Sequence, residues 1–450
     1  MDAPLSLHIK TFGCQMNVYD SGRMGEILKA QGMTYEERLG EADVILINTC
    51  SIRDKAEHKV LSLLGQLKPL KEKNPKRVIG VAGCVGQRIG RQLLQRVPHL
   101  DFVVGPDGID HVGELVDGVV KRGERCVDAK LDTDGRSYSQ PLLSTAPKVA
   151  EYITVMKGCD HFCTYCIVPF VRGREKSRSI QEIVGDVERL VAQGTKEVTF
   201  LGQNINTYGK GSAETLAQLI ERTHEVRGLE RIRYVTSHPR DMGMDLISQF
   251  GNLEKLCPAL HLPFQSGSDA VLKRMSRLYT SAEYLKKIAA LREACPDIAL
   301  SADVIVGFPG ETDEDFEQTM TVLSEVRFSL AFLFTYSPRP GTKAYELSDD
   351  VSREVKEERL ARTMKLTMEI IEEENRKRIG GIESVLVESI DKKKGRYFFG
   401  RSLHNKIVHV LNAGPACVGK VIDVEVTEAN GSNLKGYYVD AERIDRVASL

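Results

Sequence analysis

Short apolar runs alternate with segments of helical period over the first 125 residues of the chain. The apolar runs are residues 8–11, 44–47, 78–81 and 102–104. Helical periods, such as those at 22–30 and 54–70, separate them. Continuous apolar runs joined by amphipathic segments are typical of a parallel sheet with helices on both faces. The pattern therefore predicts an N-terminal open parallel-sheet α/β domain over residues 1–125.

Three of these predicted strands end in a cysteine: Cys14 and Cys84 each follow a glycine, and Cys50 follows a threonine. The carboxyl ends of neighbouring parallel strands share one edge of a sheet, so we expect the three cysteines to meet in space. Each of them taken singly is explained equally well as a buried structural thiol. The repetition of the strand–cysteine ending favours a joint site.

Residues 126–150 form a polar, turn-rich segment that we interpret as a linker. A second series of apolar runs follows it at residues 152–156, 198–201, 232–236, 259–262, 300–306 and 330–335. Helical segments lie between these runs, and six strand–helix units predict a TIM-like partial (βα)6 barrel over 151–375, with its chemistry at the carboxyl ends of the strands. The charged amphipathic segment 355–380 predicts a helix that packs one domain on another.

Short stretches of alternating polarity predict a small C-terminal β-barrel over residues 379–446. The clearest is 422–427, where Ile422, Val424 and Val426 alternate with polar residues. The predicted fold class is therefore α/β, with an open parallel sheet, a partial barrel and a small β-barrel in that order.

Composition narrows the class of protein. The 450 residues carry a formal net charge of −1, so a nucleic-acid surface has to be a local patch. The chain contains no apolar run of about 18 residues and no signal-peptide pattern, so we expect a cytoplasmic protein without a membrane partner. The ten cysteines are dilute in such a chain, which favours reduced thiols that bind metal or lie in the core.

The strongest local motif is the run Cys159-x3-Cys163-x2-Cys166, placed just after the first predicted barrel strand. Three thiolates on one loop hold three irons of a [4Fe–4S] cluster, whose irons ordinarily take four cysteines. The fourth iron stays open for S-adenosylmethionine (SAM), whose cleavage is then the chemistry of the cofactor. The alternative is a zinc site completed by His161, although structural zinc favours paired C-x2-C knuckles.

This loop and residues 167–178 after it resemble the signature of the radical-SAM methylthiotransferase family. The resemblance extends over nearly the whole chain, at segments 10–17, 48–53, 80–84, 201–206, 236–239, 261–268 and 303–312. The predicted β-barrel is similar to the RNA-binding domain called TRAM. Within the family, segments 13–17 and 172–178 are most similar to members that modify a dimethylallylated adenosine of tRNA. The relative that modifies a ribosomal-protein aspartate usually has Pro-Lys after the first cysteine.

The resemblance implies two [4Fe–4S] clusters, one on Cys159, Cys163 and Cys166 and one on Cys14, Cys50 and Cys84. The second cluster would carry the sulfur to be delivered, so catalysis would be borne by the clusters and no side chain is assigned to it. SAM contacts are expected at the carboxyl ends of the barrel strands. The predicted contacts are Tyr165, Gly202, Gln203, Ser237, Gln265 and Asp303, each of which is alternatively a scaffold residue.

Two basic clusters predict contact with RNA, because positive side chains neutralise phosphates and neighbouring aromatic rings stack on unpaired bases. The first consists of Arg172, Arg174, Lys176 and Arg178. The second consists of Lys392, Lys393, Lys394, Arg396 and Arg401, with the rings of Tyr397, Phe398 and Phe399 beside it. Either run alone is explained equally well as a solvated loop. Cys126, Cys257, Cys295 and Cys417 lie in no such context and are predicted to be ordinary core or surface residues.

The resemblance implies that the protein installs a 2-methylthio group on N6-dimethylallyl-adenosine beside the anticodon of tRNA. It also implies an electron donor such as flavodoxin or ferredoxin and a donor of sulfur or clusters. The C2–H bond is unreactive to acids and bases, which explains the need for a radical. The alternatives are a methylthiotransferase for threonylcarbamoyl-adenosine or a ribosomal-protein aspartate, and a non-catalytic zinc-dependent RNA-binding protein.

Overall fold

The computed structural model describes residues 4–51, 54–131, 148–390 and 397–439. Within them lie an open parallel sheet, two three-stranded parallel sheets that form a partial barrel, and a closed β-barrel, in that order along the chain. These are the three architectures that the hydrophobic pattern predicts. The predicted fold class is confirmed.

The N-terminal sheet has six parallel strands in the order β2-β1-β3-β4-β5-β6. They are β1 (Ser6–Phe12), β2 (Thr34–Tyr35), β3 (Val44–Thr49), β4 (Val78–Gly83), β5 (Phe102–Val104) and β6 (Cys126–Asp128). The helices that cover it are α1 (Gln15–Ala30), α2 (Asp54–Lys73), α3 (Cys84–Arg96) and α4 (Val112–Arg122). Every residue of β3 and β4 is buried, because alternate side chains pack against apolar clusters on opposite faces of the sheet.

The N-terminal sheet continues past the predicted boundary at residue 125. Residues Cys126–Asp128 are assigned above to a linker, but they pair in parallel with β5 as the edge strand β6. Three residues are too few to show a period in the sequence, which explains the error. The polar segment 132–139 of the predicted linker lies outside the described residues.

The central region carries eight strands, of which six are parallel and lie in two linked sheets. The strands are β7 (Ala150–Thr154), β8 (Met156–Lys157), β9 (Lys176–Ser177), β10 (Glu197–Leu201), β11 (Arg231–Tyr234), β12 (Ala259–His261), β13 (Ala299–Val306) and β14 (Leu330–Thr335). One sheet has the order β11-β10-β7 and the other β12-β13-β14, and a bridge between Ile232 and Leu256 joins them. Strands β8 and β9 form a separate antiparallel pair beside the cysteine loop. The result is an open partial barrel.

Helices flank the strands of this barrel. They are α5 (Val168–Arg172), α6 (Ile180–Ala192), α7 (Leu216–His224), α8 (Met244–Asn252), α9 (Asp269–Arg274), α10 (Ser281–Ala294), α11 (Asp313–Val326) and α12 (Arg353–Arg376). Helices α6, α7, α10 and α11 each begin with a capping box, in which a Ser or Thr and the residue three positions later exchange hydrogen bonds. No helix in the described ranges is both long and apolar enough to cross a bilayer.

The C-terminal strands close into a barrel in the order β15-β16-β17-β19-β18. They are β15 (Ile382–Ile390), β16 (Phe398–Ser402), β17 (Ile407–Leu411), β18 (Val421–Asn430) and β19 (Asn433–Tyr438). Strand β19 is absent from the sequence prediction, because its residues lack apolar alternation. Two buried arginines of β11 dock this barrel on the central one: Arg231 donates to the carbonyl oxygen of Arg401 at 2.7 Å, and Arg233 to that of Ser402 at 2.8 Å.

The N-terminal sheet and the central barrel meet near the carboxyl end of β7. The hydroxyl of Thr154 donates to Sδ of Met16 on α1 at 3.3 Å. Nearby, Nζ of Lys157 and Asp107 form an ion pair at 2.7 Å, with side chains only 13% and 8% exposed. These contacts hold the cysteine edge of the sheet against the cysteine loop of the barrel.

Candidate metal centres and ligand cavity

Cys14, Cys50 and Cys84 lie together at the carboxyl edge of the N-terminal sheet. The register pairs the last residues of β1, β3 and β4 with one another. Each cysteine follows its strand directly or after one glycine. A Cβ built on Gly13 would lie 2.6 Å from the Cβ of Cys50, which shows how closely the strand ends approach.

Glycine is required at two of these strand ends. Gly13 and Gly83 have φ angles of 137° and 89°, in the region that residues with a Cβ rarely adopt. A Cβ on Gly83 would overlap Oδ1 of Asn48 and lie 2.7 Å from the carbonyl oxygen of Thr49. The turn at Gly83 delivers Cys84 to the first position of α3.

Two buried asparagines fix the geometry of this edge. The thiol of Cys14 donates to Oδ1 of Asn17 at 3.3 Å, and Nδ2 of Asn17 donates to Oδ1 of Asn48 at 3.1 Å. Nδ2 of Asn48 donates in return to the carbonyl oxygen of Asn17 at 2.8 Å. Both side chains are completely buried, so this reciprocal pair locks α1 to β3 beside the thiols.

The thiols of this trio differ in proton affinity. A hydrogen bond from Cys50 and the charge of Arg172 together lower the pKa of Cys14 to about 6 against the opposing effect of burial. Burial raises the pKa of Cys84, and the same guanidinium opposes that rise. A thiolate is the form of cysteine that binds metal, and Cys14 reaches it near neutral pH.

Cys159, Cys163 and Cys166 lie on the loop that follows β8. The backbone N–H of Cys166 donates to the carbonyl oxygen of Cys163 at 2.9 Å, which folds the loop on itself. Gly158 before the loop has a φ of 81°, and a Cβ there would overlap the carbonyl oxygen of Arg174. Gly158–Cys159 is thus the third glycine–cysteine pair, after Gly13–Cys14 and Gly83–Cys84, at which the backbone conformation favours glycine.

The thiols of this second trio are close enough to affect one another. Burial, together with the neighbouring thiols of the loop, raises the pKa of Cys159 and of Cys166 to about 12 each. The buried guanidinium of Arg277 lies 3.7 Å from Sγ of Cys163. Three clustered thiols do not ionise together unless a cation shares the site, so this donor set fits a thiolate-bound metal cluster.

A short helix connects the two trios. Helix α5 begins two residues after Cys166, and Val171 near its end packs on Cys84. Nε of Arg172 donates to Sγ of Cys84 at 3.3 Å, while its Nη2 donates to Asp20 at 2.7 Å. The short helix that follows the barrel cysteines therefore contacts Cys84 of the N-terminal trio.

The other four cysteines stand apart from both trios. Cys126 is the first residue of β6, Cys257 precedes β12, Cys295 ends α10 and Cys417 lies in a turn of the C-terminal barrel. All ten cysteines lie in the described ranges, and none of them forms a disulfide. These four lie at the amino-terminal side of a strand or in other elements, as expected for cysteines that share no motif.

A cavity of about 730 Å³ opens beside the barrel trio. One cysteine and three of the predicted SAM contacts line it: Cys166, Tyr165, Gln265 and Asp303. Helix α12 forms one wall, with Met364 and Met368 47% and 55% exposed. The sequence predicts only a packing role for this helix, which does pack on β14 and α11. Its apolar face also extends into a cavity of the size that holds small ligands.

The other three predicted SAM contacts do not line this cavity. Gly202 and Gln203 follow β10, and Ser237 follows β11. Oε1 of Gln203 accepts a hydrogen bond from the backbone N–H of Gly158, beside the cysteine loop. The hydroxyl of Ser237 is buried and has no hydrogen-bond partner in the part of the chain that the structure describes. A buried hydroxyl left unpaired by the fold is suited to a ligand.

Two of the predicted RNA contacts in the first basic cluster are wrong. Arg172 is buried against Asp20 and Cys84, and Arg178 pairs with Asp186 at 2.5 Å with both side chains 1% exposed. Buried guanidinium groups with carboxylate partners cannot meet a phosphate. Two neighbours of these arginines do reach the surface. Arg174 is 70% exposed and Lys176 is half-buried in β9.

Most of the second basic cluster lies outside the described residues, namely Lys392, Lys393, Lys394 and Arg396. Arg401 on β16 is 36% exposed and pairs with Glu388 at 3.3 Å. Phe398 belongs to the core of the C-terminal barrel, so its predicted role in stacking on bases is wrong. Alternation along β16 explains this, since neighbouring residues point to opposite faces.

Sequence reasoning missed a polar cluster next to the barrel loop. His161 stacks on His238 with ring centroids 4.2 Å apart, and its Nε2 hydrogen-bonds to Asp241. Nδ2 of Asn204 also donates to Asp241, at 2.8 Å. No spacing in the sequence relates these residues, because they come from three different strand ends. Tertiary packing alone therefore pairs His161 with Asp241.

Two exposed aromatic rings were also missed. Phe162 and Phe170 are 37% and 47% exposed and pack edge to face with centroids 6.1 Å apart. The guanidinium of Arg174 lies 5.7 Å from the ring of Phe162. Their place within the cysteine segment could have indicated them, since an apolar ring beside a metal loop is either core or contact surface.

Two protein-family models match the chain. Residues 6–105 match the family described as Uncharacterized protein family UPF0004, and residues 153–323 match the Radical SAM superfamily. A protein of Geotalea uraniireducens named tRNA-2-methylthio-N(6)-dimethylallyladenosine synthase is 44% identical over 96% of this chain and 98% of its own. A protein of the same name from Carboxydothermus hydrogenoformans is 42% identical over 97% of this chain and 100% of its own. The chain belongs to the tRNA-2-methylthio-N(6)-dimethylallyladenosine synthase family.

Membership in this synthase family confirms the family predicted from the motifs. It also identifies the chain as an enzyme, so the alternative of a non-catalytic RNA-binding protein is not supported. Among solved structures, the radical SAM methyltransferase TsrM from Kitasatospora setae is similar in fold. It has a TM-score of 0.56 and 13% identity, over 76% of this chain and 74% of its own. The cobalamin-dependent SAM radical enzyme OxsB has a TM-score of 0.51 and 14% identity, over 82% and 56%.

Proposed function

We propose that this protein installs a methylthio group at C2 of N6-dimethylallyl-adenosine beside the anticodon of tRNA. The observation that carries the proposal is that the short helix following the barrel cysteines contacts the N-terminal trio, where Arg172 donates to Cys84. One trio follows the strands of a parallel sheet, and the other lies on the loop of a radical SAM barrel. Relatives of nearly the same length carry the name of this activity.

Each trio would hold one [4Fe–4S] cluster with an open iron, Cys14, Cys50 and Cys84 in the sheet and Cys159, Cys163 and Cys166 in the barrel. When bound, the clusters and SAM supply the radical that removes the hydrogen from C2 and the sulfur that replaces it. The fit rests on the clustered thiols, of which Cys50, Cys84 and Cys163 are buried, and on the absence of a fourth cysteine from either trio among the described residues. An external electron donor such as flavodoxin or ferredoxin and a donor of sulfur or clusters are part of the proposal.

The cavity beside Cys166 would bind SAM and admit the base. Tyr165 offers a ring, and the side chains of Gln265 and Asp303 offer hydrogen bonds to the ribose or the amino acid of SAM. Gly202, Gln203 and Ser237 follow β10 and β11 without lining this cavity, and they are proposed to hold the amino acid end of SAM. The apolar wall of α12 excludes water from the reacting groups.

RNA would approach over the exposed surface of the barrel loop. Phe162 and Phe170 present rings on which an unpaired base can stack, and Arg174 beside them carries a positive charge. Lys176 and Arg401 are proposed as further phosphate contacts. The target base has to leave its stack to reach the cavity, as enzymes that act on a base require.

The test uses the reconstituted full-length protein under anaerobic conditions with SAM and a chemical reductant. The substrates are tRNA from cells with the prenylation enzyme and tRNA from cells without it. Mass spectrometry of the digested nucleosides should detect a methylthio group only on the prenylated adenosine. A Cys50→Ala variant is the matched control and should give no methylthio product. Modification of unprenylated tRNA, of threonylcarbamoyl-adenosine or of a ribosomal protein in place of the prenylated base would contradict the proposal.

A further inference from the structure

We infer that Arg172 is a positioning residue through which the barrel domain holds the N-terminal [4Fe–4S] cluster and balances its charge. The inference rests on the proposed function, because it requires a cluster on Cys84. The guanidinium spans two groups of the other domain: Nε donates to Sγ of Cys84 at 3.3 Å and Nη2 donates to Asp20 at 2.7 Å. Arg172 and Asp20 are each 7% exposed, so water does not screen the contact.

The position of Arg172 within the chain lets this contact connect the two cysteine sites. It ends helix α5, which begins two residues after Cys166 of the barrel trio. Val171 packs on Cys84 at the same time. The short helix α5 therefore links the barrel loop to the N-terminal thiols. A displacement of the loop would also displace the contacts with Cys84, so the two sites keep their relative positions.

A comparison within the chain separates this contact from an ordinary buried ion pair. Arg178 comes from the same basic stretch and pairs with Asp186 at 2.5 Å, with both side chains 1% exposed. It makes its other hydrogen bond to the carbonyl oxygen of Thr154 and none to a thiol. Asp186 lies in α6 of the same barrel domain. The Arg178–Asp186 pair is thus a matched control that has the burial without the cysteine.

The expected effect follows from charge and hydrogen bonding. Hydrogen bonds to cluster sulfur and nearby charge set the reduction potential of an iron–sulfur cluster. A positive group and a hydrogen bond to sulfur both stabilise the reduced and more negative state. Removing Arg172 together with Asp20 leaves the net charge unchanged, but only Arg172 donates to Sγ of Cys84, so its loss should shift the midpoint potential of the N-terminal cluster to lower values. Groups that orient metal ligands also raise metal affinity, and their loss typically weakens it about 10-fold to 100-fold.

The test uses the full-length chain with Cys159, Cys163 and Cys166 replaced by alanine, so that only the N-terminal cluster forms. In this background a double variant, Asp20→Asn with Arg172→Gln, removes the pair without leaving a buried charge. A second variant, Arg172→Lys, keeps the charge but loses the planar fork. The control is Asp186→Asn with Arg178→Gln. Redox titration followed by electron paramagnetic resonance gives the midpoint potential, and a chelator gives the rate of iron loss.

The double variant should lower the midpoint potential and lose iron at least about tenfold faster, whereas the control pair should change neither quantity. Arg172→Lys should restore part of the potential and little of the iron retention. An unchanged potential and rate of iron loss in the double variant, or equal changes in the control pair, would overturn this inference and leave the two-cluster proposal intact. A parent chain that binds no iron would contradict the two-cluster proposal and this inference with it.

Discussion

A Gly83→Ala substitution should remove the N-terminal cluster while leaving the barrel cluster in place. Gly83 has φ 89° and ψ −158°, a region in which a side chain costs about 1–3 kcal/mol. The new Cβ would overlap Oδ1 of Asn48 and lie 2.7 Å from the carbonyl oxygen of Thr49 and 3.1 Å from Nδ2 of Asn17. The side chain of Asn48 therefore has to move, and the contact with the carbonyl oxygen of Thr49 also requires the two strand ends to shift apart.

Displacement of Asn48 breaks the reciprocal hydrogen bonds with Asn17 and leaves buried polar groups unpaired, at about 1–3 kcal/mol for each such group. With one group unpaired, strain and lost hydrogen bonding together amount to about 2–6 kcal/mol. Typical domain stabilities are about 5–15 kcal/mol, so the sheet should still fold. Cys84 follows directly and should shift away from Cys14 and Cys50.

Urea unfolding and an iron and sulfide assay of the reconstituted protein check both parts. The free energy of unfolding of Gly83→Ala should be about 2–6 kcal/mol lower than that of the parent, and the variant should retain about four of about eight irons. The control is Gly22→Ala in α1, where an added Cβ has no atom within 4 Å. That change should stabilise the helix by about 0.5–1 kcal/mol and keep both clusters. A Gly83→Ala protein with a full iron content and the stability of the control would refute the reasoning.

Three further changes have defined outcomes. Gly158→Ala should remove the barrel cluster instead, leaving about four irons but no SAM cleavage; unimpaired cleavage would contradict this. In cluster-free protein, alkylation of Cys14 should reach half its maximal rate near pH 6 and shift to higher pH in Cys50→Ala; an unchanged midpoint would show that the thiol pair does not lower the pKa. Arg178→Met should lower the free energy of unfolding by about 1–3 kcal/mol, because Asp186 loses one buried hydrogen-bond partner but keeps its ion pair with Arg189. Adding Asp186→Asn should recover part of that loss, and a single variant as stable as the parent would contradict a stabilising buried pair.

Much of the N-terminal site follows from local pattern. Apolar runs that end in cysteine identify β1, β3 and β4, and the geometry of parallel sheets brings Cys14, Cys50 and Cys84 to one edge. The cysteine loop of the barrel is likewise recognisable, because its three thiols are adjacent in sequence. Such sites can be predicted from the spacing of their residues in the sequence, because the backbone alone brings the ligands together.

Contacts between distant elements were not accessible in the same way. Arg172 and Arg178 look like surface charges in a basic stretch, and their carboxylate partners are visible only once α1 and α6 are packed. His161 and Asp241 meet across the barrel for the same reason. A run of charged residues in a sequence predicts an exposed surface. Pairing with a carboxylate on a distant element can bury such a residue, and no local pattern indicates that it does.

The most direct measurement is the iron and sulfide content of the anaerobically reconstituted full-length chain and of its cysteine variants. The unaltered chain should hold about eight irons, and each triple variant, Cys14/Cys50/Cys84→Ala or Cys159/Cys163/Cys166→Ala, about four. Removal of all six cysteines should abolish iron binding. A chain that retains about eight irons without one of the trios, or that binds zinc at either trio in place of iron, would contradict the assignment of one cluster to each.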